Sequence, residues 1–227
     1  MTASFFDPHQ RETIAAAMAR IIPTDDQPGA REAGTIDFLD RYLSGIDFIY
    51  AKPDGSGFEK LQGKHADAWQ KRVDLLRTKY VEGIADLDRR SRAEFGADFV
   101  ALGPEQQDRV LALLERLEPV PEPVPTTGPG YALETAPSPT TGGEPALQQT
   151  STETELEFLP LLVMHTRQGF YADPIYGGNR ERIGWQVIGF PGPASLAEVH
   201  NGTYSTLAWF AEGHQQAGQS SEGDHGA

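Results

Sequence analysis

Apolar residues recur along this chain at intervals of three and four, the spacing of one face of an α-helix. Ile14, Met18, Ile21 and Ile22 fall at i, i+4, i+7 and i+8 and predict a first amphipathic helix. Asp7 is placed to cap it, Pro8 suits its first position, and Pro23 ends it. The turn Thr24-Asp25-Asp26-Gln27-Pro28-Gly29 leads into a second helix with Ile36, Leu39, Tyr42 and Leu43 on one side, stopping near Gly45. After an irregular stretch, Ala51 to Gly57, a longer pattern runs through Trp69, Val73, Leu76, Tyr80, Ile84 and Leu87. It continues for about five turns and closes at Gly96. Gly103-Pro104-Glu105 restarts the chain as a fourth helix whose inner face is Val110, Leu113, Leu114 and Leu117.

From Pro119 to Thr150 proline, glycine and threonine replace core-forming residues, so residues 119–150 read as a mobile insertion. Helical spacing resumes with Leu156, Leu159, Leu162, Val163 and Thr166, behind a capping-box pattern, Thr152-x-x-Glu155. Pro160 is comfortable there only in the first turn. Alternation of period two extends no further than Trp185-Gln186-Val187-Ile188, and Leu196 to Phe210 reads as one more helix or an extended piece. The expected fold is mainly α: an irregular helical domain with a long ordered Gly/Pro/aromatic loop near the C-terminus and little or no sheet. It spans residues 1–210 as a single domain, with residues 211–227 a disordered tail.

The loop itself, His165 to Pro193, breaks the helical pattern most sharply. It crowds Phe170, Tyr171, Tyr176, Trp185 and Phe190 among glycines and prolines. Tyr171-Ala172-Asp173-Pro174 and Tyr176-Gly177-Gly178-Asn179 are turn sequences, in which proline presets φ, glycine reaches positive φ and Asn bonds its own backbone. Ordering such a segment costs conformational entropy, so it is expected to hold something: a small-molecule site or a partner protein. The rings suit an interface, where Tyr and Trp supply rigid contact area, and equally suit core packing.

Composition narrows the chemistry. With 19 basic and 33 acidic residues in 227, the net charge of −14 repels a phosphate backbone, so nucleic acid is not an expected partner. The basic clusters Lys71-Arg72 and Arg89-Arg90 with Arg92 read as solvated helix faces with ion pairs. Absence of cysteine excludes disulfides, thiolate metal sites and iron–sulfur clusters. No apolar run reaches the roughly 20 residues of a membrane span. MTASFFDPHQRE has neither a basic nor an apolar leader region, so a cytoplasmic location is expected as the chain is written.

Candidate catalytic groups are sparse. Neither G-x-G-x-x-G nor G-x-x-x-x-G-K-[ST] occurs, and the six histidines show no metal-binding spacing. Gly177-Gly178 is either an anion-binding nest or a plain turn, and Asp25-Asp26 either a calcium site or a helix-ending turn. His165 is the one acid or base to test, against a hydrogen-bonded structural role. No catalytic, cofactor or metal residue is assigned.

Two segments, ARIIPTDDQPGAREAGTIDFLDRYL (Ala19 to Leu43) and HTRQGFYADPIYGGNRERIGWQVIGFPGP, resemble the signature blocks of the gluconate 2-dehydrogenase subunit 3 family. LDRRSRAEFGADFVALGPEQQDRVLALL (Leu87 to Leu114) fits as well, so the similarity covers most of residues 7–193 outside the Pro-rich stretch. The resemblance implies a non-catalytic helical small subunit without a prosthetic group. Its partner would be a large flavoprotein of the glucose–methanol–choline type, which would hold FAD and oxidise a sugar or glycoside. Many relatives carry a twin-arginine leader that this chain lacks, which implies a cytoplasmic complex, or a periplasmic or secreted one if a leader has been removed. Phe170, Tyr171, Asp173, Pro174, Tyr176, Gly177, Gly178, Asn179 and Trp185 are then expected to shape the docking surface. The rival readings are a free-standing hydrolase or isomerase using His165 with Asp173 or Asp25, and a transient assembly chaperone.

Overall fold

The computed structural model describes residues 4–115 and 152–204, and within them the chain forms seven α-helices. They are α1 (Pro8–Ile21), α2 (Thr35–Ser44), α3 (Gly63–Phe95), α4 (Pro104–Glu115), α5 (Phe158–Tyr171), α6 (Ile183–Val187) and α7 (Leu196–His200). Among the described residues there is no sheet, only an isolated antiparallel bridge between Ala51 and Phe58. The mainly helical fold expected from the spacing is therefore present. The Pro-rich insertion, Leu117 and the tail at 211–227 lie outside the described residues.

α1 begins where its sequence says it should. Asp7 accepts the Gln10 backbone N–H at 2.8 Å, and the Gln10 side chain accepts the Asp7 N–H at 3.2 Å, closing a capping box ahead of Pro8. Ile14, Ala16, Ala17 and Met18 are buried, small residues letting neighbouring helices approach. α3 runs for 33 residues, longer than its apolar spacing indicated, because its first turns carry polar residues on a solvated face. Val73, Leu76, Tyr80, Ile84 and Leu87 form its buried stripe.

α5 is the most apolar helix and packs against α1, α2, α3 and α4. Leu159, Leu161, Leu162 and Phe170 are buried along it, beside the polar His165 and Thr166. Its start differs from the capping-box expectation. Thr152–Thr154 is a separate 3-10 turn, and the helix begins at Phe158 behind Glu157. Pro160 is thus its third residue, where the backbone N–H it lacks has no intrahelical acceptor.

Trp185 to Val187 lie in α6, so the brief alternation at 185–188 marks no strand, and Trp185 turns inward to bond the end of α5. One further expectation is corrected. Arg72 does not lie on a solvated face; it turns toward the interior and pairs with Glu153. Arg89 and Arg90 on Asp86, and Arg92 on Asp98, do form the surface ion pairs that their spacing indicated. No helix among the described residues is long and apolar enough to cross a membrane.

Candidate functional site

A cleft of about 520 Å³ opens between α2, the start of α3, the end of α5 and the glycine-rich loop. Six rings line it: Phe38 and Tyr42 from α2, Phe48 from the turn after α2, Trp69 from α3, and Tyr171 and Tyr176 from the far end of α5 and the loop. Phe38 and Tyr42 stack with an interplanar angle of 14°. Arg72, Glu153 and Gln168 supply the polar part of the lining.

Behind this wall lies a buried polar chain. Glu153 is 4% exposed at its side chain and pairs with Arg72. The same carboxylate accepts from His165 Nε2 at 2.6 Å and from the Tyr42 hydroxyl at 3.3 Å. His165 is fully buried, and its Nδ1 lies 2.7 Å from the equally buried Tyr80 hydroxyl. A carboxylate can only accept, so the proton of the imidazole sits on Nε2 and the Tyr80 hydroxyl donates to Nδ1. Burial pushes the His165 pKa down to about 3, with Arg72 acting in the same direction. Glu153 pulls the other way, but its charge is already met by Arg72, so the neutral ring prevails. Burial likewise raises the pKa values of Tyr80 and Tyr42.

This geometry disposes of the proposed His165–Asp173 pair. Both ring nitrogens of His165 are engaged by Tyr80 and Glu153, while Asp173 accepts the Ile175 N–H at 2.9 Å and caps its own turn. Asp25 likewise accepts the Gln27 N–H at 2.8 Å within its turn. His165 is the structural histidine of the two alternatives, sealed from solvent. Among the described residues no group of three or more His, Asp or Glu side chains converges as a metal site.

The loop is held from beneath. Asn179 is buried and sits in the left-handed region with φ 50°. Its Nδ2 donates to the Ala172 carbonyl at 2.8 Å and its Oδ1 accepts the Gly184 N–H at 2.8 Å, so one amide ties both ends of the loop. Trp185 Nε1 donates to the Tyr171 carbonyl at 2.8 Å. A Cβ on Gly178 would strike the Gly169 carbonyl, and one on Gly184 the Phe170 carbonyl, so both positions admit only glycine. Gly178 is thereby pressed on α5 rather than opened as an anion nest. From outside the loop, Arg41 donates to the Ile175 carbonyl at 2.7 Å, and the Ala33 carbonyl accepts the Arg180 N–H at 2.8 Å.

The nine residues expected at a docking surface therefore separate by depth. Phe170, Gly178, Asn179 and Trp185 are interior and can only support the surface. Asp173, Pro174, Tyr176 and Gly177 are half-buried, and Tyr171 is 41% exposed. Tyr171 and Tyr176 reach the cleft, joining it to the loop. Sequence reasoning missed Arg72, Glu153, Tyr42 and Tyr80 as members of one site. Lys71-Arg72 reads in sequence as a basic surface cluster, although Arg72's place beside Val73 and three residues after Trp69 puts it at the edge of the apolar stripe. Glu153 carried no local signal, being held by residues distant in sequence.

A family model described as gluconate 2-dehydrogenase subunit 3 matches residues 8–192, most of the chain. No curated protein and no solved structure gives a match.

Proposed function

The chain belongs to the gluconate 2-dehydrogenase subunit 3 family, and from that premise we propose that it is a non-catalytic accessory subunit of an oxidoreductase complex. Its partner is a large flavoprotein of the glucose–methanol–choline type, which carries FAD and oxidises a sugar or glycoside. The small subunit binds that protein and stabilises it or assists its folding. One observation carries this reading: a loop rigidly fixed by Asn179 presents Tyr171 and Tyr176 at a cleft rim, while the best acid–base candidate, His165, is sealed inside. Ordered aromatic surface is what an interface uses, and a buried neutral imidazole reaches no substrate.

Co-expression with a candidate flavoprotein of that type tests the proposal. Wild type should co-elute with the large chain as a yellow complex, and the double variant Tyr171→Ala/Tyr176→Ala should lower the yield of flavin-loaded partner. An unchanged yield, with the variant's own melt intact, would refute the docking role. A colourless monomer with turnover of its own would overturn the accessory reading entirely.

A further inference from the structure

The chain has two asparagines, Asn179 and Asn201, and the fold treats them oppositely. Asn179 is buried with its Nδ2 and Oδ1 both bonded to the backbone, so its amide is locked. Asn201 follows α7 directly and is exposed, as are Gly202 and Thr203 after it. Its Oδ1 accepts the Thr203 N–H at 2.9 Å, which folds the side chain back along the Gly202 peptide and draws electron density from Cγ. Among the described residues its Nδ2 has no acceptor. Beyond the neighbouring residues, no heavy atom lies within 4 Å of where a Cβ would stand on Gly202, which adopts φ 78°. The Gly202 N–H reaches the Val199 carbonyl only at 3.3 Å, so this nitrogen is lightly held and open to approach.

We propose that Asn201 is a site of spontaneous deamidation, at which the chain modifies itself. The Gly202 nitrogen gives up its proton to solvent and forms a bond to Asn201 Cγ; the Cγ–Nδ2 bond breaks, and ammonia leaves with a proton taken back from water. Water then opens the resulting cyclic imide at either carbonyl, leaving aspartate or isoaspartate. The net change consumes water, releases ammonia and needs no other reactant. Isoaspartate carries the main chain through Cγ and so adds a CH2 to the backbone between 201 and 202. Across that link the Tyr204 N–H donates to the Glu198 carbonyl at 2.9 Å, while the Tyr204 ring meets Phe190 edge-on at 6.1 Å and Phe190 meets Trp185 at 5.3 Å. The modification therefore loosens a stack of rings that ends on the aromatic loop. This goes beyond the accessory-subunit reading and does not depend on it.

Peptide mapping by mass spectrometry, on the full native chain held in warm, mildly alkaline buffer, tests it. Residue 201 should convert progressively to aspartate and isoaspartate, faster as pH rises, with ammonia released in step and isoaspartyl methyltransferase labelling the product. Asn179 in the same digest should stay intact. Gly202→Ala should slow the conversion several-fold, because its methyl group hinders the attacking nitrogen. Asn201→Gln keeps the backbone and the amide but must close a larger ring, so it should release no ammonia over the same period, and it decides the matter if Gly202→Ala disturbs the fold. In the isoaspartate form, amide exchange at Tyr204 should accelerate. Asn201 left intact in the native chain while the urea-unfolded chain deamidates, equal conversion at Asn179, or ammonia release undiminished in Asn201→Gln would each overturn the proposal. Unchanged protection at Tyr204 would overturn its link to the loop.

Discussion

His165 Nε2 donates to Glu153 Oε1 across 2.6 Å, joining the centre of α5 to the short turn that precedes it. The fold thereby selects the neutral imidazole, and the consequence for stability has a definite sign. Free histidine titrates near 6.5, whereas His165 in the fold is pushed down to about 3. Between those values the unfolded chain holds a proton that the native chain does not. The contribution is therefore fully present above pH 6.5 and is lost as pH falls toward 3. Denaturant midpoints measured from pH 7 to pH 4 should fall steadily, and His165→Asn, less stable at neutral pH, should show a shallower fall. Parallel curves would contradict the sealed neutral ring.

Removing Glu153 leaves the inward-turned Arg72 without its counter-charge. A fully buried pair broken in this way costs about 3–5 kcal/mol. Arg72 is 23% exposed at its side chain and recovers some hydration, so Glu153→Ala should cost less, about 2–3 kcal/mol. The double variant Glu153→Ala/Arg72→Met should recover part of that loss in urea unfolding. A double variant less stable than the sum of both single variants would argue against a coupled pair.

Asn179 carries more than its turn-former's role. Alanine there loses two buried hydrogen bonds and must adopt a φ of 50°, which alanine resists. The expected cost is about 2–4 kcal/mol, whereas Asn179→Gly removes the bonds but not the backbone tolerance and should cost less. Amide exchange at Gly184 should accelerate in both variants. Protection retained at Gly184 would show that the loop is held by something else.

What could be read from the sequence was local. Asp7-Pro8 marks a helix start through bonds spanning three residues, and the apolar stripe of α3 reports its buried face directly. The loop's turn chemistry at Asp173-Pro174 was equally legible, since Asp173 bonds Ile175 two residues on. The cleft was not, because its floor joins Tyr42, Arg72, Glu153 and His165 from four separate elements. No periodicity encodes such a meeting. The inward turn of Trp185 was hidden for the same reason, since it rests on a bond to the Tyr171 carbonyl, 14 residues back.

His9 should move stability in the opposite direction from His165. Its Nε2 lies 2.6 Å from Asp88 Oδ2, a carboxylate that also accepts the buried Phe99 N–H, and the bond to Asp88 raises its pKa above 6.5. The stabilisation is then fully present below pH 6.5 and is lost as pH rises through the raised native value. His9 is 43% exposed at its side chain, so the effect is held below about 1 kcal/mol. Thermal melts from pH 6 to pH 9 should decline slightly for wild type and stay flat for His9→Gln. The two histidines thus act from opposite sides, His165 losing its contribution as pH falls and His9 losing its own as pH rises.

Tyr171 and Trp185 separate docking from folding. Trp185 is buried, edge-on to Phe190 at 5.3 Å, and bonded to the Tyr171 carbonyl. Trp185→Ala should destabilise the chain by about 3–5 kcal/mol, so any loss of partner binding could follow from a melted loop. Tyr171 is 41% exposed, and its alanine variant should leave the melting temperature within a degree or two of wild type. Only Tyr171→Ala can therefore report on contact. If the accessory-subunit reading holds, it should weaken the complex through faster dissociation while this subunit stays folded. Binding lost in Trp185→Ala but retained in Tyr171→Ala would place the interface elsewhere on the surface and reduce the aromatic loop to an internal brace for α5.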